Sequence, residues 1–264
     1  MNIFKHEIKQ NAGATIIWTM ALLAIAALYI SIYPTFAGSA DISKVLEQFP
    51  EAYKKAFGLK GDSLVSFPGL YGMVLNFAIL TGAIQAMNLG VGIISKEVSL
   101  KTADFLLSKP VKRFNIVTQK MLSAVMLLVA TNIVFITVSW GVIQAVIDHP
   151  FKFDVFIRSS LSLFLVQMFF FTLGFLLGVV LPKVKSVIGV SLPIVFGFYV
   201  LGFLDTVMGE EKIKYVTPFK FFDLNKLTTG GTYPPASLVY LGMLLLAFIA
   251  GSYLVYQKKD IQTT

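Results

Sequence analysis

The chain has 264 residues, of which 56% are hydrophobic and only 14% are charged, and its mean hydropathy is +0.77. Soluble domains carry about 25% charged residues, so a soluble fold with this composition is excluded. The formal net charge is +8 and there is no cysteine, which excludes disulfides and thiolate metal sites.

Six apolar segments of about 20 residues follow one another along the chain. Each has the length that a helix needs to cross about 30 Å of hydrocarbon. The predicted spans are residues 16–36, 69–94, 121–147, 159–181, 187–207 and 236–256. The sequence therefore predicts an all-α polytopic membrane protein, with six transmembrane helices in a single transmembrane domain over residues 1–264.

The segments outside the spans have patterns of their own. Met1–Thr15 carries apolar residues near one helical face, whereas Lys5, Glu7 and Lys9 fall mostly elsewhere, which predicts a short interfacial helix on the membrane surface. In the first outer loop, residues 37–68, helical spacing predicts short amphipathic helices. In the last outer loop, we expect the apolar patch at residues 216–222 to pack back into the protein or the interface.

The distribution of Lys and Arg predicts the orientation. An even number of spans places both termini on one side of the membrane. When that side is taken as cytoplasmic, the inner segments carry twelve of the 22 basic residues. This bias predicts a multi-pass cell membrane protein with both termini cytoplasmic. Because the basic residues lie beside the spans, they indicate membrane lipid as a partner and no nucleic acid.

The motifs of common catalytic sites are missing from the sequence. It contains neither G-x-x-x-x-G-K-[ST] nor H-E-x-x-H, so we expect no catalytic residue, no cofactor site and no metal site. The predicted spans hold amides rather than charges near their middles. These amides either hydrogen-bond between helices or line a substrate path, for which the candidates are Asn76, Gln85 and Asn88. Gly174-x-x-x-Gly178 likewise fits either packing within the chain or a dimer contact.

The segment Ser95–Lys120, here called the inner loop, is the longest predicted cytoplasmic connection. It reads SKEVSLKTADFLLSKPVKRFNIVTQK, in which an apolar centre interrupts the charged residues. Such a segment, continuous with two spans, either docks into a groove on a soluble partner or only enforces the topology. A chain with neither midplane charge nor a nucleotide site needs energy from a partner for uphill transport.

The inner loop resembles the cytoplasmic loop of ABC-2-type transporter permeases. In that family an acidic residue, here Glu97, leads to a segment LLS-x-P-V-x-R and to a lysine before the third span, here Lys120. The outer segment at residues 214–223, KYVTPFKFFD, is similar to the family's Pro-aromatic loop between spans five and six. The chain departs from the family pattern at Lys101-Thr102, where Gly-Thr is frequent.

The resemblance implies an ABC-2-type permease without catalysis of its own, with export as the family tendency. Its implied partners are an ATP-binding cassette subunit, which would dock on the inner loop, and a second permease copy or paralogue. The implied coupling residues are Glu97, Lys101, Asp104, Phe105, Leu106, Leu107, Pro110 and Arg113. Two other classes stay open, namely a secondary carrier or passive channel that acts alone and a non-transporting membrane scaffold or sensor.

Overall fold

The computed structural model describes residues 3–36, 48–49, 66–99, 113–147, 151–181, 183–208 and 215–258, and within these ranges all regular elements are helices. A 3₁₀ turn, Pro218–Lys220, lies between the fifth and sixth α-helices. The α-helices are α1 (Ile3–Phe36), α2 (Phe67–Ser99), α3 (Arg113–Val146), α4 (Phe153–Val180), α5 (Val187–Met208), α6 (Leu224–Thr228) and α7 (Pro235–Lys258).

Every predicted span falls on one of the long helices. Five of them, α1 to α4 and α7, are long and apolar enough to cross a membrane. In α5 the apolar stretch Val187–Phe203 is shorter than a full span. The described part of the chain therefore holds five candidate spans, and the count of six stays a prediction.

The start of the chain differs from the expectation. Ile3–Phe36 is one helix, so the segment predicted to lie on the membrane surface is continuous with the predicted first span, and its interfacial position stays a prediction. At 1.5 Å per residue, the 34 residues of α1 extend about 50 Å. Glu7, which the amphipathic pattern assigns to the polar face, is only 2% exposed and pairs with lysines of two other helices. These partners replace water and keep the segment against the bundle.

Helices α2 and α4 form the central pair, and glycines allow their backbones to touch. A Cβ at Gly90 would overlap the carbonyl oxygen of Phe171, and a Cβ at Gly174 would lie 2.8 Å from the carbonyl oxygen of Met87. A Cβ at Gly178 would meet α2 in the same way. Gly174-x-x-x-Gly178 is therefore a packing motif within the chain, which decides between the two alternatives that the sequence left open.

The apolar patch at residues 216–222 packs back into the bundle, as the sequence predicts. The ring of Phe221 is 2% exposed, and its centroid lies 6.1 Å from that of Phe169. Phe221 also contacts Tyr240 of α7, and Thr217 lies beside Gly202 of α5. Most of the patch is thus covered by α4, α5 and α7, whereas Val216 at its start is 53% exposed. Most of the first outer loop, residues 37–68, lies outside the described residues.

Candidate coupling and transport site

The two ends of the inner loop lie at the end of the bundle where α1 begins and α7 ends. The guanidinium of Arg113, the first residue of α3, donates a hydrogen bond to the backbone oxygen of Gln257 near the end of α7 (3.2 Å). One turn and a half further along α3, the hydroxyls of Thr118 and Tyr253 are 2.7 Å apart. The end of the inner loop at α3 is therefore attached to α7.

A buried ionic cluster joins α1 to both ends of the inner loop. Its members are Glu7 of α1, Lys96 of α2 and Lys120 of α3, here called the Glu7 cluster. The Lys96 ammonium contacts the Glu7 carboxylate and also donates to the side-chain oxygen of Gln10 (2.9 Å). The Lys120 ammonium lies 2.6 Å from the other carboxylate oxygen and donates to the backbone oxygen of Ile93 in α2 (2.8 Å).

The position of Lys120 is unusual for a lysine. Its side chain is 0% exposed, although lysine is almost never fully buried unless it is paired. Removing an ammonium group from water is costly, so the carboxylate and the carbonyl oxygen have to compensate for the lost hydration. Lys120 therefore fixes the end of α2, the beginning of α3 and the first turns of α1 relative to one another.

Hydrogen bonds on either side of Glu7 extend this attachment along α1. The backbone N–H of Phe4 donates to the side-chain oxygen of Gln119 in α3 (3.3 Å). The Asn11 amide donates to the backbone oxygen of Glu7 (2.8 Å) and to its carboxylate (3.2 Å). Phe4 thus adds a contact of α1 with α3, whereas Asn11 holds the Glu7 carboxylate in place from within α1.

A second polar group lies nearer the middle of the bundle. It consists of Thr19, Gln85, Thr131, Asn132 and Gln167, here called the amide network. The Gln167 amide donates to the Gln85 oxygen (3.2 Å) and accepts from Asn132 (2.6 Å). Gln85 donates to the Thr131 hydroxyl (3.1 Å), which lies 3.1 Å from that of Thr19. The network links α1, α2, α3 and α4, which agrees with the helix-joining role that the sequence analysis left open for these amides.

The other two substrate-path candidates lie on α2 outside this network. The Tyr199 hydroxyl of α5 donates to the Asn76 oxygen (3.4 Å). Among the described residues, the buried side-chain oxygens of Asn88 and of Ser191 in α5 have no hydrogen-bond partner. Gly92, one turn after Asn88, faces the beginning of α5. The Asn76–Tyr199 contact therefore lies between α2 and α5, and Asn88 lies on α2 one turn from the glycine that meets α5.

At the opposite end of the bundle, polar contacts attach the start of α4 to the loop before α7. The Tyr233 hydroxyl donates to the backbone oxygen of Arg158 (2.5 Å), and burial raises the pKa of Tyr233. Arg158 also pairs with Asp154 one turn away, and the Asp154 side chain is 63% exposed. This exposed pair contrasts with the buried Glu7 cluster.

The structure places only some of the predicted coupling residues. Glu97 lies in the last turn of α2, and Arg113 begins α3. Lys101, Asp104, Phe105, Leu106, Leu107 and Pro110 lie outside the described residues.

The Glu7 cluster is not predicted from the sequence. The one available signal was that Glu7 is the only acidic residue among the first 40, in a segment that otherwise carries lysines. The lysines that it meets are 89 and 113 positions away in the chain, and spacing alone does not connect residues over that distance.

Long apolar helices and polar contacts between them define a multi-pass membrane protein. The family description "ABC-2 family transporter protein" matches residues 1–261, which is almost the whole chain. The chain belongs to this family, which confirms the resemblance seen in the inner loop. It is thus a membrane permease component of an ABC transporter, and such components are not themselves catalytic. No curated protein matches the chain.

Proposed function

We propose that the chain is the permease subunit of an ABC exporter in the cell membrane, with both termini cytoplasmic. A separate ATP-binding cassette subunit docks on the inner loop and supplies the energy. The observation that carries the proposal is the attachment of both ends of this loop, through Lys96, Lys120 and Arg113, to α1 and α7. A force on the loop would reach four helices at once.

The inner loop supplies the docking surface. In this proposal Phe105, Leu106 and Leu107 enter an apolar groove of the ATP-binding subunit, which is the usual way in which a short amphipathic segment is recognised. Charged residues around them set the orientation, and Pro110 ends the docking segment. The charged residues with this role are Glu97, Lys101, Asp104 and Arg113.

The substrate path runs between α2 and α5 in this proposal. Asn76 and Asn88 supply polar groups along it, and the support is their position outside the amide network, with the Asn88 oxygen buried and unpaired within the described residues. Buried polar groups are normally hydrogen-bonded, so an amide oxygen at this position is suited to accept a hydrogen bond from a polar substrate. Gln85 was also a candidate, but its hydrogen bonds to Thr131 and Gln167 support a packing role.

The working transporter contains two permeases, either two copies or this chain with a paralogue, and two ATP-binding subunits. ATP binding closes the two ATP-binding subunits, the inner loops follow, and the interface between the permeases opens alternately to the two sides of the membrane. Native mass spectrometry of the complex extracted in mild detergent would give this composition. A permease found alone at every detergent concentration would contradict it.

Introduced cysteines test the docking and the orientation together, since the natural chain has none. Lys109→Cys lies in the inner loop, and Thr232→Cys, an exposed residue before α7, is the control at the other end of the bundle. A thiol-to-amine cross-linker should join the first cysteine, but not the second, to an ATP-binding subunit. In intact cells, an impermeant thiol reagent should label only the second.

The two results have separate meanings. Labelling of Lys109→Cys from outside would refute the orientation and with it the docking surface. Protection of that cysteine without any ATP-binding subunit among the cross-linked products would refute the driven permease and leave a carrier or scaffold.

A further inference from the structure

The Glu7 cluster is more elaborate than membrane anchoring requires. Two lysines from two other helices pair with Glu7, which is 2% exposed. One of these lysines, Lys120, is completely buried. A buried ion pair is weak evidence for stability, because apolar side chains of similar volume often stabilise a protein equally well. The arrangement therefore calls for an explanation other than stability.

The geometry of the cluster gives that explanation. Lys96 and Lys120 lie at the two ends of the inner loop, and each uses a different oxygen of the same Glu7 carboxylate. Lys120 also binds the Ile93 oxygen, so α2 and α3 are attached to each other as well as to α1. A displacement of the loop cannot move either of its ends without moving Glu7 or breaking an ion pair that is shielded from water.

A second attachment follows twelve residues further along α1. Thr19 contacts Thr131 of the amide network, about 18 Å from Glu7 along the helix axis. Two points of attachment at different depths prevent α1 from rotating or sliding on α2 and α3. The three helices are then a single mechanical unit, and the uninterrupted α1 carries a displacement from the inner end to the middle of the bundle.

We propose that Glu7 is a positioning residue that makes α1 move together with the inner loop. The proposal rests on the proposed function, because the displacement comes from the docked ATP-binding subunit. Without the cluster, the loop would still bind that subunit, but a displacement of the loop would not be transmitted to α1. The role differs from that of the docking residues, since Glu7 is buried and acts through Lys96 and Lys120.

The first test uses the permease alone, in lipid nanodiscs. Spin labels on two exposed residues, Lys9→Cys in α1 and Leu122→Cys in α3, report the distance between these helices by pulsed electron paramagnetic resonance. We expect a narrow distance distribution with Glu7 intact and a broader one in Glu7→Gln/Lys120→Met. The matched control Asp154→Asn/Arg158→Met removes an exposed pair at the other end and should leave the distribution narrow.

The double variant separates positioning from folding. Glu7→Gln alone leaves the Lys120 ammonium buried without its carboxylate, so it should lower thermal stability, whereas removing both charges should restore much of it. A merely structural role predicts that a narrow distribution returns together with stability. The positioning role predicts a broad distribution in a stable protein. If the double variant does not fold, Lys120→Gln, which removes the ion pair between α1 and α3 but keeps the pair of Glu7 with Lys96, should still broaden the distribution.

The second test uses the complex with the ATP-binding subunit. Labels at Lys9→Cys and at the exposed Val200→Cys of α5, a helix outside this unit, should show a distance shift when the complex is trapped with ATP and vanadate. This shift should be lost in Glu7→Gln/Lys120→Met although the subunit still co-purifies.

The outcomes separate the two proposals. A narrow distribution in the stable double variant, or a retained shift on trapping, would overturn the positioning role. If no ATP-binding subunit binds the unmodified permease, the proposed function fails, and the distance distribution of the permease alone still decides whether Glu7 fixes α1.

Discussion

The close contact between α2 and α4 predicts a large effect for a single methyl group. In Gly90→Ala the new Cβ would overlap the carbonyl oxygen of Phe171 and lie 2.8 Å from the backbone nitrogen of Phe175. These are backbone atoms, which cannot rotate away, so the helices have to separate. Overpacking typically costs about 1–3 kcal/mol, and the rigid neighbours place this case near the upper end, at about 3 kcal/mol. At roughly 2–4 °C per kcal/mol, Tm should fall by about 6–12 °C.

Thermal unfolding of the purified permease in one detergent would measure this change. Gly242→Ala in α7 is the matched control, because a Cβ there meets nothing within 4 Å. Alanine has the higher helix propensity, so the control should keep or slightly raise Tm. Equal melting temperatures for Gly90→Ala and Gly242→Ala would show that the backbones of α2 and α4 are not in contact.

Two other substitutions address polar contacts, again by thermal unfolding. Gln167→Leu removes the hydrogen bonds to Gln85 and Asn132, which at about 0.6 kcal/mol each should lower the free energy of unfolding by about 1 kcal/mol. The exposed Gln144 provides the control variant Gln144→Leu. An equal loss of stability in both variants would contradict a specific network. Thr217→Val removes the 2.7 Å bond to the Phe198 oxygen and should cost about 0.5 kcal/mol, while the exposed Thr232→Val should cost nothing. An unchanged Tm in Thr217→Val would mean that this hydroxyl does not hold the 216–222 patch against α5.

Hydropathy predicts where this chain crosses the membrane because backbone polar groups inside a bilayer are satisfied only within helices or barrels. It marks the apolar part of a helix rather than the whole of it. Helix α2 continues to Ser99 and α3 begins at Arg113, both beyond the apolar runs. These extra turns carry Lys96 and Lys120, so the part of each helix that hydropathy omits is the part that forms the candidate coupling site.

The partners of polar side chains could not be predicted in the same way. The sequence allowed two roles for Gln85, and only the positions of Thr131 and Gln167 distinguish them. Glu7 is a similar case, since a carboxylate on an amphipathic segment is normally predicted to face water. A single sequence contains no information on which of 22 basic residues will meet it.

The surroundings of α1 explain why polar contacts matter more here than apolar ones. Ile16, Ile17 and Met20 are exposed on its outer side, where lipid would cover them. Lipid tails are as apolar as these side chains, so apolar packing gives α1 little preference for the bundle over the bilayer. The contact that most clearly distinguishes the two environments is that of Glu7, whose carboxylate would lack partners in hydrocarbon. Thr19 adds less, because its hydroxyl also bonds to the Thr15 oxygen of its own helix. The register of α1 on α2 and α3, and with it the path from the inner loop to the middle of the bundle, therefore depends on these few residues.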